Sequence, residues 1–301
     1  MVEETGKIIS NGFETYKKNF NISIPFALNF FITMILGVVL FAMGFIYIFG
    51  SSLTSLENVS SPEQLVMVLL PLISQHIAEI LAIFLIIVIV ISFIQSFFTA
   101  GAIGMAKEAT ETGRTSLSTM TEAGKKNVLN LFLAEILVGL LSIAGMVFMV
   151  PGAMKVNITE LFSPTNTDAA LLLLAGFLLW IIYSMIINLI LVVYSYALVV
   201  ETLGPIEGIA AGLGFFKEHK APVFILWLVM GGIIIAIAII GQVTGVIPIV
   251  NIIWALVNMV ISIFVIPPLV TLWWVRLYMS GTGKNMHVDD LLAHPSELSK
   301  L

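Results

Sequence analysis

Residues 111–127 read Glu-Thr-Gly-Arg-Thr-Ser-Leu-Ser-Thr-Met-Thr-Glu-Ala-Gly-Lys-Lys-Asn and lie between two long apolar runs. The stretch begins at a glycine-containing turn and ends on two lysines and an asparagine. Related signals occur at residues 4–19, which run from Glu-Thr-Gly to Lys-Lys-Asn, and at residues 201–220. A long hydrophobic run follows each copy. This pattern predicts an integral membrane protein of three related units, each a surface helix followed by a helical hairpin.

Composition places the chain in the membrane class. Hydrophobic residues make up 59% and charged residues 10%, whereas soluble domains carry about 25% charge. Apolar runs of about 18 residues or more are long enough to cross the hydrocarbon core of a bilayer. Spanning segments must satisfy their own backbone hydrogen bonds, and the alternating pattern of barrel strands is absent from the sequence. The sequence therefore predicts an all-α, polytopic helical bundle.

Six transmembrane helices are expected in a single transmembrane domain, residues 1–280, followed by a short cytoplasmic tail at 281–301. Three amphipathic cytoplasmic surface helices are expected beside them, starting near residues 5, 115 and 205. The hydrophobic residues of the first recur at helical spacing, with charged residues on the other faces. The predicted spans cover about residues 22–49, 79–102, 128–150, 169–199, 222–241 and 249–279.

The repeated signals have two explanations. A true three-fold repeat accounts for their spacing of about 107 and 90 residues. Alternatively, the basic, glycine-containing loops on one side of any six-span protein would produce a similar pattern. All three copies point the same way, which argues against the inverted repeats of many secondary transporters.

The distribution of positive charge predicts the orientation. Of the 13 Lys and Arg residues, all but Lys155 lie on one side of the predicted bundle. Because Lys and Arg are enriched in cytoplasmic loops, we expect a multi-pass protein of the cell membrane with both termini in the cytoplasm.

Three features together resemble a known group of proteins: the Lys-Lys-Asn at residues 17–19, the Gly-Ala-Ile-Gly-Met-Ala at 101–106 and the surface helix within 201–217. The set resembles a poorly characterised prokaryotic family of six-helix membrane proteins. That family is similar to the membrane domain that precedes some glycerophosphodiester phosphodiesterase catalytic domains. The resemblance covers nearly the whole chain and implies the six-helix fold. It does not imply the phosphodiesterase activity, because the sequence contains no stretch for a soluble catalytic barrel.

Polar side chains inside the predicted spans are the candidate functional residues, because each is costly in hydrocarbon unless it finds a partner. Glu135 lies nine residues past Lys126, about 13 Å further along a helix. We expect it to share one layer with three amides and to face Arg276 as the nearest cation. The candidate residues are Asn29, Gln95, Glu135, Asn188 and Arg276.

Two prolines, Pro267 and Pro268, lie at a comparable depth in the sixth predicted span. Each removes a backbone donor, so we expect a kinked helix there. A proton- or cation-responsive site beside the bent helix is one interpretation of this region. The alternative is that Glu135 pairs with Arg276 or with an amide to fix helix packing, and that the prolines only shape the span.

Signals for an enzyme are weak. The sequence has no Cys, no Gly-x-Ser-x-Gly elbow and no phosphate-binding Gly-x-x-x-x-Gly-Lys loop. A short tail does not hold metal ligands in place, so we expect neither a metal site nor a cofactor. The tail residues considered for a metal are His287, Asp289, Asp290 and His294.

The sequence therefore predicts a non-enzymatic accessory or scaffold component of the membrane. Its partners are expected to be the lipid bilayer and other membrane proteins. Nucleic acid is not expected, because the apolar faces of the basic surface helices match lipid. The alternative function is a small-solute or ion transporter or channel that uses the polar layer around Glu135.

Overall fold

The computed structural model describes residues 2–50, 61, 70–155 and 167–287. Helices account for most of these residues and no strand occurs among them, which confirms the all-α class. Six helical segments of the described part are long and apolar enough to cross a membrane. They are Phe20–Phe49, Ile77–Thr112, Leu117–Ala153, Asp168–Glu201, Lys220–Thr244 and Pro248–Gly281.

Most of the described helices form these segments together with short irregular elements, whereas the helices Thr5–Lys18 and Pro205–Glu218 lie outside them. Two 3₁₀ turns lie at Phe20–Ser23 and Gly145–Met149, and a π-helical turn lies at Ile261–Val265. In chain order, the helices are α1 (Thr5–Lys18), α2 (Ile24–Phe49), α3 (Ile77–Thr112), α4 (Leu117–Ala144), α5 (Val150–Ala153), α6 (Thr167–Leu191), α7 (Tyr194–Glu201), α8 (Pro205–Glu218), α9 (Lys220–Thr244), α10 (Pro248–Val260) and α11 (Ile266–Gly281).

The expected surface helices join their spans in two different ways. The backbone leaves the helical conformation at Asn19 (φ −133°, ψ 56°) and at His219 (φ −124°, ψ 41°), so α1 and α8 are separate helices. The middle copy is instead the first part of α4, which corrects the expectation of a third separate surface helix. Asn127 stays helical, and its side-chain amide donates to the Ala123 carbonyl at 2.9 Å.

Each surface segment packs on the last helix of another unit. Helix α1 packs on α11, the beginning of α4 on α3, and α8 on α7. A glycine lies at each contact, because a Cβ would come within 3 Å of the facing side chain or backbone. The pairs are Gly12 with Trp273, Gly124 with Phe97, and Gly212 with Tyr194.

The ends of α3, α7 and α11 share a further feature. Gly113, Thr202 and Gly283 are left-handed (φ 81°, 56° and 68°), and no other described residue has a positive φ. A left-handed residue commonly ends a helix, because it turns the chain away from the axis. The shared ends and the cyclic packing of the surface segments support the three-fold repeat.

Buried residues concentrate at one end of the bundle, which we call the basic end: α1, α7, α8, residues 96–112 of α3, 117–134 of α4 and 268–281 of α11. Helix α11 is buried on all sides from Leu272 to Ser280, and most of the side chains in this stretch are apolar. Its Trp274 is fully buried; the indole lies 6.2 Å from the Tyr196 ring, and its N–H points to the Met230 sulfur at 2.9 Å.

The opposite halves of the spans form three hairpins, which we call the distal arms: residues 30–49 with 77–92, 136–155 with 167–187, and 231–260. Within each arm the two helical segments of the hairpin pack on each other. The most apolar 18-residue window of each span is between 0 and 17% buried. The arms are therefore largely uncovered, whereas the basic end is a packed core.

Candidate functional site

Glu135 lies on α4, beside α3. The Ser96 hydroxyl, which is fully buried, donates a hydrogen bond to the Glu135 carboxylate. Glu135 itself is half-buried. This contact joins two helices that pack along much of their length. The Glu135 side chain thus has a local hydroxyl partner inside a candidate membrane span.

Arg276 does not pair with Glu135, and the expected ion pair is wrong. The Arg276 Nε lies 2.8 Å from Glu3 Oε2, and Nη2 lies 3.1 Å from Oε1, in a two-pronged and largely buried contact. Asn11 also donates to Glu3 at 2.7 Å. The residues before α1 fold back against α11, and this long-range docking brings Glu3 to the guanidinium.

The three amides are not gathered around Glu135. Gln95 and Asn188 lie on exposed faces of α3 and α6. Asn188 accepts a hydrogen bond from the Trp227 indole of α9 at 3.3 Å. Asn29 is half-buried, and its Oδ1 has no hydrogen-bond partner among the described residues. The structure therefore joins Glu135 to Ser96 and places Asn188 with Trp227.

The proline pair begins α11, directly after the π-helical turn at Ile261–Val265. Pro268 lacks the N–H that an α-helix would direct to the Phe264 carbonyl. That carbonyl accepts hydrogen bonds from the hydroxyls of Tyr16 and Ser23, the latter at 2.9 Å. Tyr16 and Ser23, from the first unit, thus satisfy the Phe264 carbonyl that Pro268 leaves without its helical donor. A backbone acceptor within a membrane span needs such a partner, because lipid supplies none.

A polar cleft of about 280 Å³ lies at the basic end, between α3, α4 and α7. Sequence reasoning did not single it out, because its charged residues resemble an ordinary solvated face. The Lys-Lys-Asn signal could have pointed to it, since Lys126 and Asn127 belong to its lining. The other lining residues are Gly104, Lys107, Glu108, Glu111, Thr119, Glu122, Ala123, Val199 and Thr202.

The distal arms carry apolar grooves. A groove of about 440 Å³ between α2 and α3 is lined by side chains such as Phe41, Ile48 and Phe84. A smaller one of about 230 Å³ lies between α6 and α9, partly outside the arms, and includes Met185 and Trp227. No described residue of the third arm, 231–260, is buried. These surfaces can contact hydrocarbon or apolar helices.

The tail residues considered for a metal are mostly beyond the described part of the chain. Asp289, Asp290 and His294 lie outside it, whereas the backbone N–H of His287 donates to the Thr110 carbonyl at 2.7 Å. Among the described residues, no group of three or more His, Cys, Asp and Glu side chains could hold a metal ion.

An all-α chain with six candidate membrane spans and a packed basic end is a polytopic membrane protein in its architecture. The chain belongs to the family described as "Domain of unknown function (DUF7847)", whose profile matches residues 63–278, more than half of its length. A relative from Archaeoglobus fulgidus, named "Uncharacterized protein", is 24% identical over 204 residues, which is 63% of this chain. The match spans 65% of that relative's length. No solved structure matches the chain.

Proposed function

We propose that the protein is a non-enzymatic accessory or scaffold component of the cell membrane, and that its distal arms bind other membrane proteins. The observation that carries the proposal is the uneven burial of the described residues: the basic end is packed, whereas the most apolar 18-residue window of each span is at most 17% buried and the third arm has no buried residue. In lipid, apolar helix faces associate through packing complementarity, because hydrocarbon surrounds them in either state. Separate, grooved hairpins offer faces on which partner helices can pack.

The membrane and the orientation belong to the same proposal. The basic end carries α1, α8 and the lysines of both, and by the positive-inside tendency we infer that it faces the cytoplasm, as do both termini. Exposed Phe13 and Phe20 lie beside these lysines, and Lys17 Nζ is 4.6 Å from the centroid of the Phe13 ring. Aromatic and basic side chains of this kind are typical of the lipid–water boundary.

The resemblance to the membrane domain that precedes some glycerophosphodiester phosphodiesterases supports an accessory role. In those proteins the membrane domain precedes the catalytic domain that it accompanies. The present chain would similarly serve a separate partner, without phosphodiesterase activity, cofactor or nucleic acid of its own.

Affinity purification from native membranes in a mild detergent tests the proposal. We expect a membrane protein to co-purify at a constant ratio to the chain. A variant that adds bulk and charge to one arm, such as Leu140→Arg, should lose it. The matched variant Glu122→Arg, on an exposed face of the same helix at the basic end, should retain it. Purification of the unmodified chain without any stoichiometric partner would count against a scaffold.

A transporter is the second candidate, and the observation that favours it is the Glu135 carboxylate with its Ser96 partner inside a candidate span. The amide layer that such a pathway would use is not assembled, because Gln95 and Asn188 face outward. For a transporter, proteoliposomes that contain the protein should show ion or solute flux that Glu135→Gln abolishes. For a scaffold, they should show none above that of empty liposomes.

A further inference from the structure

Two asparagines in equivalent sequence positions have different hydrogen bonding. Asn19 and Asn127 each end a Lys-Lys-Asn signal, and both are almost completely buried. Each donates its side-chain N–H to the carbonyl four residues earlier, Asn19 to Thr15 at 3.0 Å and Asn127 to Ala123 at 2.9 Å. The two side chains thus begin from the same local geometry.

Their carbonyl oxygens differ. The Oδ1 of Asn19 accepts the backbone N–H of Thr115 at 3.0 Å, in the turn after α3. The buried Oδ1 of Asn127 has no hydrogen-bond partner among the described residues. A buried acceptor without a donor costs about 1–3 kcal/mol, so buried polar groups normally have partners. Asn127 is among the residues that line the polar cleft between α3, α4 and α7. Its Oδ1 is covered, so a ligand in the cleft supplies the missing donor once the side chains around this oxygen move.

The cleft is better suited to a cation than to an anion. Its lining holds three carboxylates, from Glu108, Glu111 and Glu122, against the ammonium groups of Lys107 and Lys126. Lys107 is already engaged, since its Nζ donates to the Val200 carbonyl at 3.0 Å and lies 4.0 Å from Glu111. With Lys107 and Glu111 paired, Glu108, Glu122 and Lys126 remain, and their net charge is negative.

One of these carboxylates, that of Glu108, is held in place by neighbouring hydroxyls. The Glu108 carboxylate is held by the hydroxyls of Thr115 at 2.7 Å and Thr119 at 2.5 Å. The lining thus contains a fixed carboxylate, the Asn127 carbonyl and the Thr202 hydroxyl, and a primary ammonium has three N–H donors for acceptors of these kinds. A bare metal ion fits less well, because no described group of three or more His, Cys, Asp and Glu side chains could hold one.

We propose that this cleft binds a primary ammonium group, with Asn127 and Glu108 as its acceptors. Glu122 and Lys126 are exposed and one helical turn apart at the rim; these long side chains can reposition to admit the ligand without disturbing the core. The ammonium belongs either to a small free amine or to an amino headgroup of a lipid at the membrane surface. This site is independent of partner binding by the distal arms.

Thermal unfolding of the full chain in detergent tests the site with ethanolamine as the probe. Choline is the matched control, because its quaternary nitrogen has the same charge but no N–H donor. We expect ethanolamine to raise the melting temperature in a saturable way, since a ligand that binds only the folded state stabilises it. Choline at the same concentrations should not. Equal responses to the two compounds would overturn the proposal. So would the absence of stabilisation both by dissolved ethanolamine and by a lipid with an ethanolamine headgroup.

Variants and lipids complete the experiment. Asn127→Leu removes the unpaired carbonyl, so it should shift the half-maximal ethanolamine concentration at least tenfold, whereas Gln95→Leu, on an exposed face of α3, should leave it unchanged. An unaltered response in Asn127→Leu would contradict the assignment. Nanodiscs that contain phosphatidylethanolamine or phosphatidylcholine distinguish the source. Stabilisation by the ethanolamine lipid alone identifies a headgroup site, and stabilisation by dissolved ethanolamine in both lipids identifies a free-amine site.

Discussion

The basic end and the distal arms are built from the same helices, yet they differ in what surrounds their side chains. On α4, Leu131 at the basic end is fully buried, whereas Leu140 in the arm is 59% exposed. Close helix contacts at glycine occur in both regions, at Gly104 and Gly212 of the basic end and at Gly152 and Gly176 of the second arm. What differs is that several helices meet at the basic end, whereas each arm is a pair of helical segments. Both leucines belong to the apolar part of one helix. Apolar composition therefore marks a membrane helix but does not tell whether protein covers it.

The largest expected effect on the free energy of unfolding comes from the ion pair between Glu3, which precedes α1, and Arg276 of α11. Arg276→Leu leaves the Glu3 carboxylate buried without its cation, and breaking such a pair costs about 4 kcal/mol. Thermal or denaturant unfolding in one detergent measures the loss. Adding Glu3→Leu should recover much of it, because the double variant has no uncompensated charge. Strictly additive losses would mean that the pair contributes nothing to the basic end.

A smaller effect compares the two leucines of α4 directly. Leu131→Ala removes a fully buried side chain and should destabilise the protein by about 3 kcal/mol. Leu140→Ala is the matched change in the arm and should alter the unfolding free energy by no more than about 0.5 kcal/mol. The same unfolding experiment decides between them. Equal costs would show that the arm is packed in solution and would remove the contrast between the two regions.

The smallest of these effects concerns helix contact within the basic end. A Cβ at Gly212 would lie 2.6 Å from the Tyr194 Cα, whereas nothing lies within 4 Å of one at Gly214 on the same helix. Gly212→Ala should cost about 2 kcal/mol through overpacking. Gly214→Ala should stabilise by about 0.5 kcal/mol, because alanine favours a helix over glycine. If melting temperatures move in the same direction for both, α8 does not pack on α7 as described.

Sequence reasoning reaches the fold class because the bilayer imposes length and hydropathy on any span. It also locates the surface segments, whose buried positions Ile8, Gly12 and Tyr16 follow helical spacing. It fails where the answer depends on distant contacts. The sequence pattern indicated only Glu135 as the partner of Arg276, because the docking of the residues before α1, which brings Glu3 to the guanidinium, is a long-range contact.

The two Lys-Lys-Asn signals show a second limit. The same three residues end α1 at Asn19 and continue a helix at Asn127. The difference arises because the turn after α3 supplies a backbone donor to Asn19, a contact between segments more than ninety residues apart. Identical local sequence therefore gave no sign that one asparagine would be satisfied and the other would line a cleft.

Photo-crosslinking in native membranes tests the proposed role of the arms most directly. A photoreactive residue is placed at one exposed position of each arm (Phe84, Leu140 and Ile235) and at the buried Leu198 of the basic end as control. We expect discrete adducts with another membrane protein from at least one arm position and none from Leu198. Illumination that yields only lipid adducts at all three arm positions, with the chain otherwise unmodified, would contradict a scaffold whose arms bind partner proteins.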